Sequence, residues 1–89
     1  MSYDYKTEKP FVFTEDGQRM FLKIRDKCNS LQQIAGAFTI EKAVSDLGGS
    51  TWARLACIDR LVELGEFEYV NKEVLAQFHV LRKVEYYGK

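Results

Sequence analysis

Side chains able to do acid–base, nucleophilic or metal chemistry are few and scattered. His79 is the only histidine among 89 residues, and Cys28 and Cys57 are the only cysteines. General acid–base catalysis needs titratable groups convergent in a cleft, and a zinc site needs three or four ligands at short, repeated spacings. This chain has no second histidine, no Cys-x-x-Cys pair and no convincing carboxylate pair. Gly48-Gly49 is not followed by the lysine that a phosphate-cradling loop carries. These residues point away from an enzyme, a cofactor and a metal. Both cysteines stand among apolar neighbours, where a thiol behaves as a small hydrophobe.

What remains is the chemistry of recognition. Thr51, Trp52, Arg54 and Arg60 fall along one predicted helix, and Arg82 and Lys83 lie near the end of a predicted strand. Trp and Arg are common anchors of binding surfaces. Arg54 could also pair with a guanine edge, while Arg82, Lys83, Lys42 and Lys72 are candidates for phosphate contacts. Each candidate has a plainer reading beside it. Trp52 borders the apolar stripe of its helix and can simply cap the core edge, and two charges at a strand end are ordinary solvated surface. Thirteen basic and thirteen acidic residues cancel, so the whole molecule has no net field that would draw in a polyanion.

The elements that must position these residues follow from apolar periodicity. In residues 16–34, Met20, Phe21, Ile24, Cys28 and Leu31 recur three or four apart, one face of a helix whose other face carries Arg19, Lys23, Arg25, Asp26 and Lys27. Gly36 is its stop signal. Ala37 and Phe38 form a short extended link, after which Thr39 caps a second helix burying Ile40, Ala43, Val44 and Leu47. Gly48-Gly49 turns the chain, and Ser50 caps a third helix running to about residue 64 with Leu55, Ile58, Leu61 and Val62 on one stripe. That stripe turns Trp52, Ala53, Ala56, Asp59, Arg60 and Glu63 outward. After Gly65 the period changes to alternation, and residues 66–70 and 78–84 read as two paired strands joined by a loop over 71–77.

Helix, extended link, helix, tight turn, helix and hairpin is the order of a winged helix. The segment Leu47-Gly48-Gly49-Ser50, followed by Ile58-Asp59-Arg60-Leu61 and Gly65, resembles the helix-turn-helix and wing junction of small bacterial and phage winged-helix regulators. The resemblance covers residues 21–84 in architecture and 39–67 in motif. It implies an α+β fold, a three-helix bundle with a C-terminal β-hairpin wing. One departure stands out. Arg54 occupies a position where such regulators place a small branched apolar residue, so either the helix is rotated or Arg54 snorkels from a partly covered site.

The resulting expectation is an N-terminal arm over 1–14, a winged helix-turn-helix domain over 15–85 and a tail over 86–89. The function the resemblance implies is a DNA-binding transcriptional regulator acting on double-stranded DNA. The alternative is a protein–protein interaction module or adaptor on the same scaffold that binds no nucleic acid. In either case the binding face would hold Thr51, Trp52, Arg54, Arg60, Arg82 and Lys83. Aromatic residues at both chain ends, Tyr3, Tyr5, Tyr86 and Tyr87 among them, raise the expectation of a homodimer. The N-terminal MSYDYKTEKP lacks the apolar segment of a secretory signal, and no apolar run approaches the ~20 residues of a membrane span, so a cytoplasmic location is expected.

Overall fold

A computed structural model describes residues 3–70 and 80–84. It is an α+β structure with the order α1 (Tyr5–Val12), α2 (Glu15–Ala35), β1 (Ala37–Thr39), α3 (Ile40–Val44), α4 (Thr51–Glu63), β2 (Phe67–Tyr69) and β3 (Val80–Lys83). The loop expected over 71–77 lies outside the described residues, as do His79, Tyr86 and Tyr87.

Side-chain caps set the helix starts. Ser50 Oγ accepts from the Trp52 and Ala53 amides at the head of α4, and Thr39 Oγ1 accepts from Lys42 N at 3.2 Å at the head of α3. Thr14 Oγ1 takes the Gly17 amide at 3.0 Å at the head of α2. Each bond satisfies one of the amides a helix start leaves without an internal acceptor. Where α4 ends, Gly65 N–H donates to Val62 O at 3.0 Å and Glu66 N–H to Leu61 O at 3.1 Å. This double closure needs a left-handed residue between helix and strand, and Gly65 supplies it at φ 80°.

The extended link after α2 is a strand in its own right. β1, β3 and β2 form one antiparallel sheet in that spatial order, with Phe38 opposite Leu81 and Leu81 opposite Tyr69. Phe38, Phe67 and Leu81 face the helices, and the rings of Phe38 and Phe67 meet edge to face at 5.9 Å. Against them pack Ile24 and Cys28 of α2, Ile40 and Ala43 of α3, and Leu55, Ile58 and Leu61 of α4. The two cysteines are buried free thiols, as their apolar neighbours imply, and burial pushes both up to about 12.

The N-terminal segment differs from the expected arm. Residues 5–12 form helix α1, and Val12 joins the core at 2 % exposure, so the described residues contain four helices rather than three. Asp4 accepts from Lys6 N and Thr7 Oγ1 and thereby caps α1. Pro10 sits inside α1, in its last turn. A proline there disguises a short helix in sequence, because it removes an amide donor and discourages helix over the segment.

Leu61 lies at the centre of the core with no exposure. Replacing it by Ala is expected to cost about 2 to 5 kcal/mol in urea unfolding, the range for emptying a buried leucine site. A loss under about 1 kcal/mol would mean that the α4 stripe does not organise the core.

Candidate functional site

α4 carries four of the six candidate residues, and its surroundings decide what they can do. Leu55, Ile58 and Leu61 face the core as their spacing requires. Ala53 and Ala56, expected to point outward, are buried too, and Ala56 is fully so. Both α1 and α2 pack on α4, and the N-terminal segment reaches Asp59, Arg60 and Glu63. Small side chains permit this approach, and the α1–α2 junction completes it, with Cys57 Sγ 3.9 Å from Gly17 O.

Polar groups tie α1 and the residues before it to α4. Tyr3 O–H donates to Asp59 Oδ2 at 2.6 Å, and Tyr69 O–H from β2 donates to the other oxygen of the same carboxylate. One turn further on, Glu63 accepts from Tyr5 O–H at 2.9 Å, Lys9 Nζ at 2.9 Å and Arg60 Nη1 at 2.7 Å. Arg60 also lies over the Phe13 ring, 5.1 Å from its centroid. Burial first, and then the bond to Asp59, raises the Tyr3 and Tyr69 hydroxyls well above the ordinary tyrosine range. Burial and the bond to Glu63 raise Tyr5 likewise. Donation by Lys9, Arg60 and Tyr5 holds the Glu63 carboxyl down at about 2.

The six candidates do not converge on one cationic surface. Thr51 is exposed and Trp52 is half-buried. Arg54 is partly buried, and its Nε is enclosed without a hydrogen-bond partner. Its Nη1 donates to Leu47 O at 2.6 Å and its Nη2 to Thr51 Oγ1 at 3.2 Å, so the guanidinium fastens the α3–α4 turn to α4. Thr51 and Arg54 share a cleft of about 290 Å³ with Ile40, Glu41, Val44 and Leu55. The other three cations are engaged elsewhere. Arg60 bonds Glu63, Arg82 Nε bonds Glu68 Oε2 at 2.8 Å, and Lys83 Nζ bonds Asn29 Oδ1 at 2.9 Å while lying over Phe67.

The basic face of α2 is likewise interleaved with acid. Arg19 pairs with Asp16 and Glu15, Arg25 with Glu66 at 3.8 Å, and Lys27 with Asp46 at 3.2 Å. Exposed pairs of this kind contribute only ~0 to 1 kcal/mol each, yet every one sets a negative charge beside a positive one. They set acid beside the basic residues on the solvated face of α2.

Sequence reasoning passed over Tyr3, Tyr5, Lys9, Asp59, Glu63 and Tyr69 as a group. Part of the signal was present: Tyr5, Lys9 and Val12 are spaced i, i+4, i+7 behind a capping Asp4, and Asp59 and Glu63 are four apart. The meeting of Tyr3, Tyr5 and Lys9 with Asp59 and Glu63 spans more than fifty residues of chain and leaves no local trace. Comparison with family models, curated proteins and solved structures gives no match to this chain. Among the described residues no helix is long and apolar enough to cross a membrane.

Because Glu63 titrates at about 2 when folded, against about 4.3 for a free glutamate, its bonds stabilise the fold above about pH 4 and are lost as pH falls toward 2. The urea midpoint of the native chain is therefore expected to exceed that of Glu63→Gln near neutrality, with the gap closing through this window. A gap that stays constant down to the bottom of the window would show that the carboxylate's ionisation does not hold α1.

Proposed function

We propose that this chain is a protein-binding module on a winged-helix scaffold, acting by recognition without catalysis and without a DNA-reading helix. The scaffold assignment is supported by the order α2, β1, α3, α4, β2, β3 and the antiparallel sheet order β1-β3-β2. In that arrangement α3 and α4 are the helix-turn-helix pair and β2 and β3 the wing.

One observation carries the choice of partner. Every cation among the six candidates is held by a group of its own fold, Arg54 by Leu47 O, Arg82 by Glu68 and Lys83 by Asn29, and α1 packs over the stripe of Asp59, Arg60 and Glu63 in the C-terminal half of α4. Arg60, the candidate cation on that stripe, is held by Glu63 and Phe13, and two carboxylates stand beside it. Phosphate binding draws on clustered, uncompensated cations, and a zero net charge adds no long-range attraction.

What the same region does present is apolar. Phe13 is 53 % and Leu64 46 % exposed, and both flank Arg60: Phe13 beneath its guanidinium and Leu64 one helical turn beyond it. An aromatic ring, an arginine and a leucine on one patch match the composition of protein-binding surfaces. DNA, the commonest use of this scaffold, has only analogy on its side.

Anisotropy titration of a mixed-sequence DNA duplex at low salt is expected to give no saturable binding at micromolar protein. Saturable binding that weakens steeply with salt would mean that phosphates are the ligand, and the protein-binding proposal would fail.

A further inference from the structure

Arg25, Lys27, Arg60 and Arg82 each stand beside a carboxylate. Arg54 does not. Its two hydrogen bonds go to neutral oxygens, Leu47 O and Thr51 Oγ1, and its Nε is enclosed without a partner. A guanidinium has more donors than two bonds use, and here its positive charge is left uncompensated. Glu41 on α3 is the converse case, an exposed carboxylate with no cation beside it among the described residues.

Both residues line the cleft of about 290 Å³ between α3 and α4. Although they share it, they do not pair with each other, so the two charges stand apart across one small space. The rest of the lining is Thr51 and three apolar side chains, Ile40 and Leu55 from the buried core and Val44 packed against it.

This combination selects its occupant by exclusion. An anion alone would be drawn to Arg54 and repelled by Glu41, a cation alone the reverse, and an uncharged apolar molecule would strip water from both charges without replacing it. A molecule with one carboxylate, one ammonium and an aliphatic group meets all three parts of the lining. The volume lies at the small end of the ~300 to 1,000 Å³ of ligand pockets, which suits an amino acid better than a drug-sized molecule.

We propose that this cleft binds a free aliphatic amino acid, with its carboxylate on Arg54, its ammonium on Glu41 and its side chain against Ile40, Val44 and Leu55. The inference goes beyond the protein-binding reading and does not rest on it. Thr51 and Arg54 lie in the N-terminal half of α4, whereas Arg60 and Leu64 lie at its C-terminal end. Because Arg54 also holds Leu47 O, an occupant bonded to it braces the α3–α4 turn.

The test titrates the full isotope-labelled chain with L-leucine, with isocaproate and with isoamylamine, and follows the amide spectrum. The last two keep leucine's isobutyl group and lack its ammonium and its carboxylate in turn. Leucine is expected to shift the amides of residues 40–44 and 51–55 saturably, at least about tenfold more tightly than either fragment, since each missing charge forfeits a charge-assisted bond. Glu41→Gln, a change at an exposed position, should bring leucine down to the affinity of isocaproate and leave isocaproate itself unweakened. Absence of a saturable shift at millimolar leucine, leucine binding no tighter than its fragments, or equal weakening of leucine and isocaproate in Glu41→Gln overturns the proposal. Should Glu41→Gln fail to fold, the comparison of the three ligands on the unaltered chain decides by itself.

Discussion

Backbone meets backbone where the end of α1 reaches the first turn of α2 at Gly17. A side chain at this position would overlap the Phe11 carbonyl and the Val12 Cα, and backbone atoms cannot turn aside as a flexible side chain can. Glycine lets α1 fold back, Val12 enter the core, and Cys57 sit against the Gly17 carbonyl. From that contact follow the packing of α1 on α4 and the placing of Tyr3, Tyr5 and Lys9 over Asp59 and Glu63. An 89-residue chain has little interior to spare, and here a helix that could have been a surface element becomes a central one.

Local signals in the sequence carried most of the architecture. Thr39, Ser50, Gly36 and Gly65 mark helix ends by capping and backbone freedom, which act over a few residues and leave their pattern in the chain. The change from helical to alternating period after Gly65 is local in the same sense, and β2 and β3 pair as it requires. The extended link at Ala37 and Phe38 was legible as backbone shape. Its partner was not, since pairing with β3 spans more than forty residues. The outward face of α4 failed for a similar reason. Periodicity says which residues avoid water, but a helix of small residues can be covered on a second side by an element that its own sequence does not announce.

The site residues show the same division. Arg54 is marked by the oddity of an arginine at an apolar position, and its guanidinium fastens Leu47 to α4 from a partly buried site. Arg60, Arg82 and Lys83 were chosen for their charge, and charge alone does not reveal the Glu63, Glu68 and Asn29 that neutralise or hold them. Of the aromatic residues that raised the expectation of a dimer, Tyr3 and Tyr5 spend their surface on their own α4. The charge balance of the whole chain thus repeats at short range, in the pairs that hold Arg25, Lys27, Arg60 and Arg82.

Hydrogen–deuterium exchange of the intact chain, compared with Gly17→Ala, addresses the packing of α1 on α4 most directly. In the native chain the amides of residues 5–12 should be protected, more weakly than those of α4, and in Gly17→Ala they should exchange as a free peptide does while residues 55–61 stay protected. Exchange of residues 5–12 at the free-peptide rate in the native chain, or unchanged protection of α1 in Gly17→Ala, would contradict the docking of α1 on which the enclosure of α4 depends.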